Sequence, residues 1–152
     1  MRLTRRFIVR SIDNIPLSNP IRYERYYIND TLRIQNKDNC FEKEILDKHN
    51  ILVKKESITK EEFNKLKDSA YSKIIRDSYL YLNNDNISIK KYYEEYEGLN
   101  RVEVKFSSKD EMDLYIKESW MGKEITHSLL AFDKDLSKLN RKQFLNELKK
   151  YL

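Results

Sequence analysis

Glycine and proline occur only twice each in the 152 residues, and cysteine once. Gly98 and Gly122 stand too far apart to build a Walker or dinucleotide-binding turn, which excludes the glycine-rich phosphate loops. Collagen-like, glycine-linker and proline-rich classes are excluded by the same scarcity. Cys40 alone cannot form an internal disulfide, and His49 and His127 lie far apart with no thiol at zinc spacing. No apolar run approaches the roughly 18 residues that a membrane-spanning helix needs. The longest, Phe7-Ile8-Val9 and the surroundings of Leu80 to Leu82, are strand-sized, so no membrane partner is expected. The basic start, Arg2-Leu3-Thr4-Arg5-Arg6, leads into an apolar run that Arg10 cuts short, which predicts a cytoplasmic protein rather than a secreted one.

What the chain has in quantity is charge and tyrosine. Thirty Lys and Arg against 25 Asp and Glu leave a net charge of +5, in a composition that is 36% charged. The hydrophobic fraction of 39% includes 11 Tyr and 6 Phe, enough aromatic bulk for a packed core. Length suits one domain, residues 1–152, and no repeat, linker or low-complexity segment interrupts it.

Residues 2–9 alternate, with Leu3, Phe7 and Val9 on one parity and Arg2, Thr4 and Arg6 on the other, the period of a strand. Further strand-like runs at 21–28, 31–36, 40–46 and 51–56 are separated by polar turns such as Asn29-Asp30. Thr59 with Glu62 then predicts a helix over 60–69. Strands follow at 71–82, 87–93 and 101–106, and Ser108 with Glu111 predicts a second capped helix. The stretch 118–139 carries no clear period. A last helix is expected near 140–152, capped by Asn140 and Gln143, with Phe144, Leu148 and Tyr151 on one face. About eight short strands with two or three helices predict an α+β, mainly antiparallel architecture: a tunnel-like barrel with helices packed outside.

Parity also groups the cations. Arg2, Arg6, Arg33, Lys43, Lys55, Arg76, Lys90, Arg101 and Lys105 are assigned to one face of the sheet, with Leu3, Phe7, Val9, Leu32, Val102, Val104 and Phe106 on the other. An exposed antiparallel face shows such alternation by itself. Helices with apolar stripes, however, need a sheet surface to cover, and the apolar parity supplies it. The charged parity would then point inward, where cations so close together call for a polyvalent anion.

Several segments resemble the CYTH or triphosphate tunnel superfamily, and in order they cover nearly the whole chain. Arg5-Arg6-Phe7-Ile8-Val9 resembles the end of that family's opening strand, Leu32-Arg33-Ile34-Gln35 its R-I-R strand, and Arg76-Asp77-Ser78-Tyr79 its K-x-R-Y strand. Gly98-Leu99-Asn100-Arg101-Val102-Glu103-Val104 resembles G-L-x-x-x-E-V-E, and Trp120-Met121-Gly122-Lys123-Glu124-Ile125-Thr126 resembles W-L-G-x-E-V-T. The resemblance implies an eight-stranded tunnel in which Arg and Lys grip a triphosphate and carboxylates hold Mg²⁺ or Mn²⁺. It assigns phosphate binding to Arg6, Arg33, Lys43 and Arg76, and metal binding to Glu103 and Glu124.

This chain departs from the pattern mostly in one direction. Arg2 and Thr4 stand where the opening strand has glutamates, Val53 and Lys55 where acids are common, Lys90 replaces an aspartate and Lys105 a glutamate. Lys90 and Lys105 therefore join the phosphate-binding set, and metal affinity is expected to be poor because a hard dication is held by carboxylate oxygens. The expected function is binding of a triphosphate-bearing anion, whether nucleotide, tripolyphosphate or RNA 5′ end, with reduced or no turnover. The alternatives are a Mg²⁺- or Mn²⁺-dependent triphosphate phosphohydrolase, and a basic module that binds nucleic acid through cations and stacked tyrosines such as Tyr92 and Tyr93. Nothing in the chain indicates an oligomeric state.

Overall fold

Strands form at most of the alternating runs, and also at Leu52–Ser57 and Ser72–Leu80, where burial does not alternate. The computed structural model describes residues 3–152, so the placement of Arg2 lies outside the described residues. Eight strands are present: β1 (Thr4–Ile8), β2 (Ile21–Tyr27), β3 (Leu32–Lys37), β4 (Cys40–Leu46), β5 (Leu52–Ser57), β6 (Ser72–Leu80), β7 (Ile87–Tyr92) and β8 (Asn100–Lys105). Among the described residues four α-helices accompany them, α1 (Lys60–Lys67), α2 (Lys109–Leu114), α3 (Asp133–Leu136) and α4 (Arg141–Lys149), with a short 3₁₀ turn at Glu94–Tyr96. The strands make one sheet in the order β1-β8-β7-β6-β2-β3-β4-β5. The expected α+β, mainly antiparallel class with about eight strands is therefore found. Among the described residues, no helix is long and apolar enough to cross a membrane.

By its contacts the chain divides into two compact units: Ile21–Arg76, and the segment ending at Pro20 together with Asp77–Leu152. Strand β6 contributes to both.

In the unit that contains both chain ends, β8 runs antiparallel to β1 and β7, with Phe7 opposite Val102, Ile89 opposite Val102, Arg6 opposite Glu103 and Lys90 opposite Arg101. That register puts Phe7, Ile87, Ile89, Val102 and Val104 together on a buried face with Met121 and Tyr81. Each such side chain stabilises the unit by roughly 1.5–3 kcal/mol. Arg6, Lys90, Arg101, Glu103 and Lys105 alternate onto the other face.

The stretch that had no readable period holds this unit's edge. Ile8 donates its N–H to Lys123 O, Gly122 donates to Ile8 O and Ile125 donates to Arg6 O, so residues 122–126 line the free side of β1. A Cβ at Gly122 would meet Ile8 O at 2.8 Å, which is why the close approach uses glycine. Helix α4 carries the expected cap, with Asn140 Oδ1 accepting from Gln143 N and Gln143 Oε1 accepting from Asn140 N. It buries Phe144 edge-on to Tyr96 at 5.4 Å. In α2, Ser108 Oγ accepts from Glu111 N, but the Glu111 carboxylate turns back to the N–H of Ser107 and does not close the expected box on Ser108.

In the other unit, Tyr23 lies opposite Lys37, Arg25 opposite Gln35 and Tyr27 opposite Arg33; across β3, Arg33 lies opposite Glu44 and Gln35 opposite Glu42. Tyr23, Arg25, Tyr27, Arg33, Gln35, Lys37, Glu42 and Glu44 therefore share a face. The other face belongs to α1, whose Phe63 packs on Tyr26 at 5.7 Å and on Phe41 at 4.9 Å. Lys43 is on that second face: it lies opposite Ile34, and its Nζ pairs with Glu56 Oε1 at 3.0 Å. The expectation that Lys43 shares a face with Arg33 is thus corrected. A one-residue difference in register reverses every side chain, and Arg33 is in register with Glu44, not with Lys43.

Candidate functional site

Each unit has a strand face on which cations outnumber acids. In the unit of Ile21–Arg76, Glu44 is buried at the centre of one group. Its Oε1 accepts from Arg33 Nε at 2.8 Å and lies 3.9 Å from Arg25, while Oε2 is 4.0 Å from Lys55 Nζ. Burial pushes the Glu44 carboxyl up, but Arg33 and Arg25 outweigh it and hold it below the ordinary glutamate value. Lys55 also reaches Glu42 at 3.2 Å. Both carboxylates of this face belong to β4.

At the β2 end of the same face the balance is different. Arg76 stacks over the Tyr23 ring at 4.3 Å, Arg25 lies 5.6 Å from its centre and Lys37 Nζ 5.7 Å. Arg25 and Arg76 therefore lie within about 10 Å of each other, where like charges repel by roughly 1.7 kcal/mol at an effective dielectric of about 20. The ring offsets part of this, since a tyrosine face attracts cations within about 6 Å. Arg25 is buried, and its Nε and Nη2 both donate to the neutral Gln35 Oε1, at 3.0 and 2.8 Å. Among the described residues Lys37 has no carboxylate partner.

In the other unit, Glu103 is caught by three cations. Its Oε1 accepts from Arg6 Nε at 3.2 Å and from Arg101 Nη2 at 3.2 Å, and its Oε2 lies 3.1 Å from Lys90 Nζ. Lys90 also donates to Ser88 Oγ at 2.6 Å. Arg101 reaches on to Asp133 Oδ1 at 3.1 Å, the oxygen that accepts from Tyr92 at 2.5 Å, which ties α3 to the sheet. Burial opposes the charge of Arg101, but Tyr92, Asp133 and Glu103 keep its pKa above the ordinary arginine value. Arg6 stacks over Phe132 at 4.4 Å and borders a cavity of about 420 Å³ that Thr4, Arg5, Glu124, Thr126 and Phe132 also line.

The expected site residues thus separate as follows. Arg6, Lys90 and Glu103 come together in one unit, and Arg33 and Arg76 share a face in the other. Lys105 lies on the face of Glu103 by register but is exposed at the end of β8. Glu124 is held by Arg5, whose Nη2 and Nε donate to its two oxygens at 2.7 and 3.0 Å. Arg5 and Phe7 alternate with Arg6, and Glu124 is bridged to Phe7, so Glu124 belongs to the opposite side of β1 from Glu103. The hydrogen bond from Arg5 holds the Glu124 carboxyl below its ordinary value.

This arrangement does not fit the Mg²⁺ or Mn²⁺ that the resemblance implies. Such an ion keeps several waters and takes one or two carboxylates aimed at the same point. Here the two glutamates are on different sides of one strand and each already neutralises arginine. Among the described residues no group of three or more His, Cys, Asp or Glu is placed to hold a metal. Tyr23, Arg25 and Lys37 were missed by the sequence reading. Extending the parity of Arg33 to Lys37, and folding it across the Asn29-Asp30 turn onto β2, would have found them.

No protein-family model matches the chain, and no curated protein matches it. Solved structures do. One, described as the hypothetical protein NE1496, superposes with a TM-score of 0.74 at 17% identity over 92% of this chain and 99% of its own. A second, described as the inorganic triphosphatase NE1496, gives 0.72 at 17% identity over 90% of this chain and 94% of its own. The chain has the fold of an inorganic triphosphatase. The expected mainly antiparallel fold of about eight strands is therefore the one that these structures share.

Proposed function

We propose that the protein binds a triphosphate-bearing anion, with Arg6, Arg33, Arg76, Lys90 and Lys105 as phosphate-binding cations, and that it turns this ligand over slowly or not at all. The observation that carries the reading is the treatment of Glu103: a carboxylate on this face is met by Arg6, Lys90 and Arg101 together. Guanidinium and ammonium groups that converge on one anionic oxygen pair are the donors that a phosphoryl group requires. The fold shared with an inorganic triphosphatase supports the choice of ligand class. A nucleotide, inorganic tripolyphosphate and a 5′-triphosphorylated RNA end all present the same chemistry.

Reduced turnover follows from the carboxylates. Phosphoryl transfer depends on neutralising charge at the reacting group and positioning the attacking water, work usually given to a metal ion. Glu103 and Glu124 are unsuited to that task. The test is phosphate release from tripolyphosphate and ATP with and without Mn²⁺. Release that needs Mn²⁺ and vanishes in Glu103→Ala selects the phosphohydrolase; saturable binding without release supports the binder. Affinity that climbs with oligonucleotide length and falls steeply with salt selects the nucleic-acid module.

A further inference from the structure

The cavity of about 420 Å³ beside β1 enters the phosphate-binding assignments only through Arg6. Every residue that lines it belongs to the unit that contains both chain ends. One wall is the end of α2, a helix that buries none of its own residues. Arg5 fastens that wall: its Nη1 donates to Met112 O at 3.0 Å and to Tyr115 O at 3.1 Å, while Nη2 and Nε donate to Glu124. One guanidinium thus ties β1, α2 and residue 124 together around the cavity. The lining suits an organic ring better than a phosphate. Phe132 and Met112, both half-buried, supply an aromatic ring and a polarisable thioether. Asp113 and Glu124 supply carboxylates, which accept hydrogen bonds from an amine and repel a carbonyl or phosphoryl oxygen. The volume falls within the range of roughly 300–1,000 Å³ that small organic ligands occupy. Arg6 stacks over Phe132 at 4.4 Å and donates to Glu103 at 3.2 Å, so it stands between the cavity and the cations gathered on Glu103.

Resting on the triphosphate-binding reading above, we propose that this cavity takes an amine-bearing nucleobase, of the adenine or cytosine kind, from a nucleoside triphosphate whose phosphates begin at Arg6. The base stacks on Phe132 with Met112 against it, and such stacking is tolerant of ring type. Its exocyclic amine donates to Asp113, since both Glu124 oxygens already accept from Arg5. A base with a carbonyl in the place of that amine would set oxygen against carboxylate, which is the source of selectivity. The ligand is then an organic triphosphate in preference to the inorganic ion.

The experiment is calorimetric titration of the full chain in EDTA with ATP, UTP and sodium tripolyphosphate, using the wild type, Phe132→Leu and Asp113→Ala. ATP and UTP carry the same charge and differ in the ring, and ATP is expected to bind about tenfold more tightly. Phe132→Leu is expected to weaken ATP about tenfold, as the loss of one stacking ring does, and tripolyphosphate by no more than about twofold. A ring that served only to position Arg6 would weaken both equally. Asp113 is exposed and its pair with Lys109 is a surface one, so Asp113→Ala leaves the fold intact. It is expected to weaken ATP several-fold and to leave UTP within about twofold. Where melting shows Phe132→Leu to be unfolded, Asp113→Ala carries the test. Equal affinity for ATP and UTP in the wild type, an unchanged preference in Asp113→Ala, or equal weakening of ATP and tripolyphosphate in Phe132→Leu overturns the base site, and tripolyphosphate binding leaves the phosphate reading standing. ATP binding that Phe132→Leu weakens, without any binding of tripolyphosphate, keeps the base site and overturns the phosphate reading. No binding of any of the three overturns both.

Discussion

Arg33 on β3 and Glu44 on β4 stand directly opposite each other, and their side chains close a 2.8 Å ion pair with the carboxylate almost fully buried. A cation offered to a ligand on this face is therefore already tied to an acid of the protein's own. The same holds for Arg6 and Glu103 at 3.2 Å in the other unit. These pairs stabilise the strand faces, and on the proposed function they also set how strongly the faces receive an anion.

The first expectation concerns acid. Glu44 ionises below its ordinary range in the folded protein, so its contribution is fully present above the unfolded glutamate pKa of about 4.3 and is lost as pH falls through the lower folded value. Urea denaturation followed from pH 7 to pH 3 should show this decline. Glu44→Gln should flatten it and lower stability at pH 7 by about 2–4 kcal/mol, because Arg33 and Arg25 then lose the charge beside them. An unchanged pH profile in Glu44→Gln would contradict the assignment.

Asp133 gives the second. It is buried, and Tyr92 and Arg101 both donate to its Oδ1. Asp133→Asn removes the charge that balances a buried guanidinium and should cost about 3–5 kcal/mol of stability. Thermal unfolding measures this directly, and a loss under about 1 kcal/mol would show that α3 does not depend on the pair.

Glu103 separates two chemical roles. On the proposed function Glu103 acts as an internal anion that competes with phosphate for Arg6, Lys90 and Arg101, so Glu103→Gln should bind tripolyphosphate several-fold more tightly, by about 1 kcal/mol. A metal ligand behaves in the opposite way, and its loss weakens any binding that requires Mn²⁺. Titration of the variant in EDTA and in Mn²⁺ distinguishes them.

Much of this fold could be read from residue order because most of its strands alternate in burial and α1, α2 and α4 are capped by Thr59, Ser108 and Asn140. Leu3, Phe7 and Val9 alternate with charge, and the spacing of Asn140 and Gln143 marks the start of α4 by residue type alone. The stretch around Gly122 could not be read, since it is held by backbone bonds to Ile8 and Arg6, far away in sequence, and not by a period of its own. The cation face was legible in both units except at Lys43, where residue type alone does not fix register. The acids were harder. Glu103 and Glu124 are visible as motif glutamates, but only the opposed positions of Arg6 and Glu103, and the bridge between Phe7 and Glu124, reveal that they serve arginines on different sides of β1. Arg25 escaped attention because its partner in register is the neutral Gln35.

The most direct measurement of the account is calorimetry of tripolyphosphate binding by the full chain, once in EDTA and once in excess Mn²⁺, with the phosphate in each sample assayed afterwards. Saturable binding of similar affinity in both, differing by no more than about twofold, with no phosphate released, is the predicted result. Binding that appears only with Mn²⁺ and ends in released phosphate would contradict it.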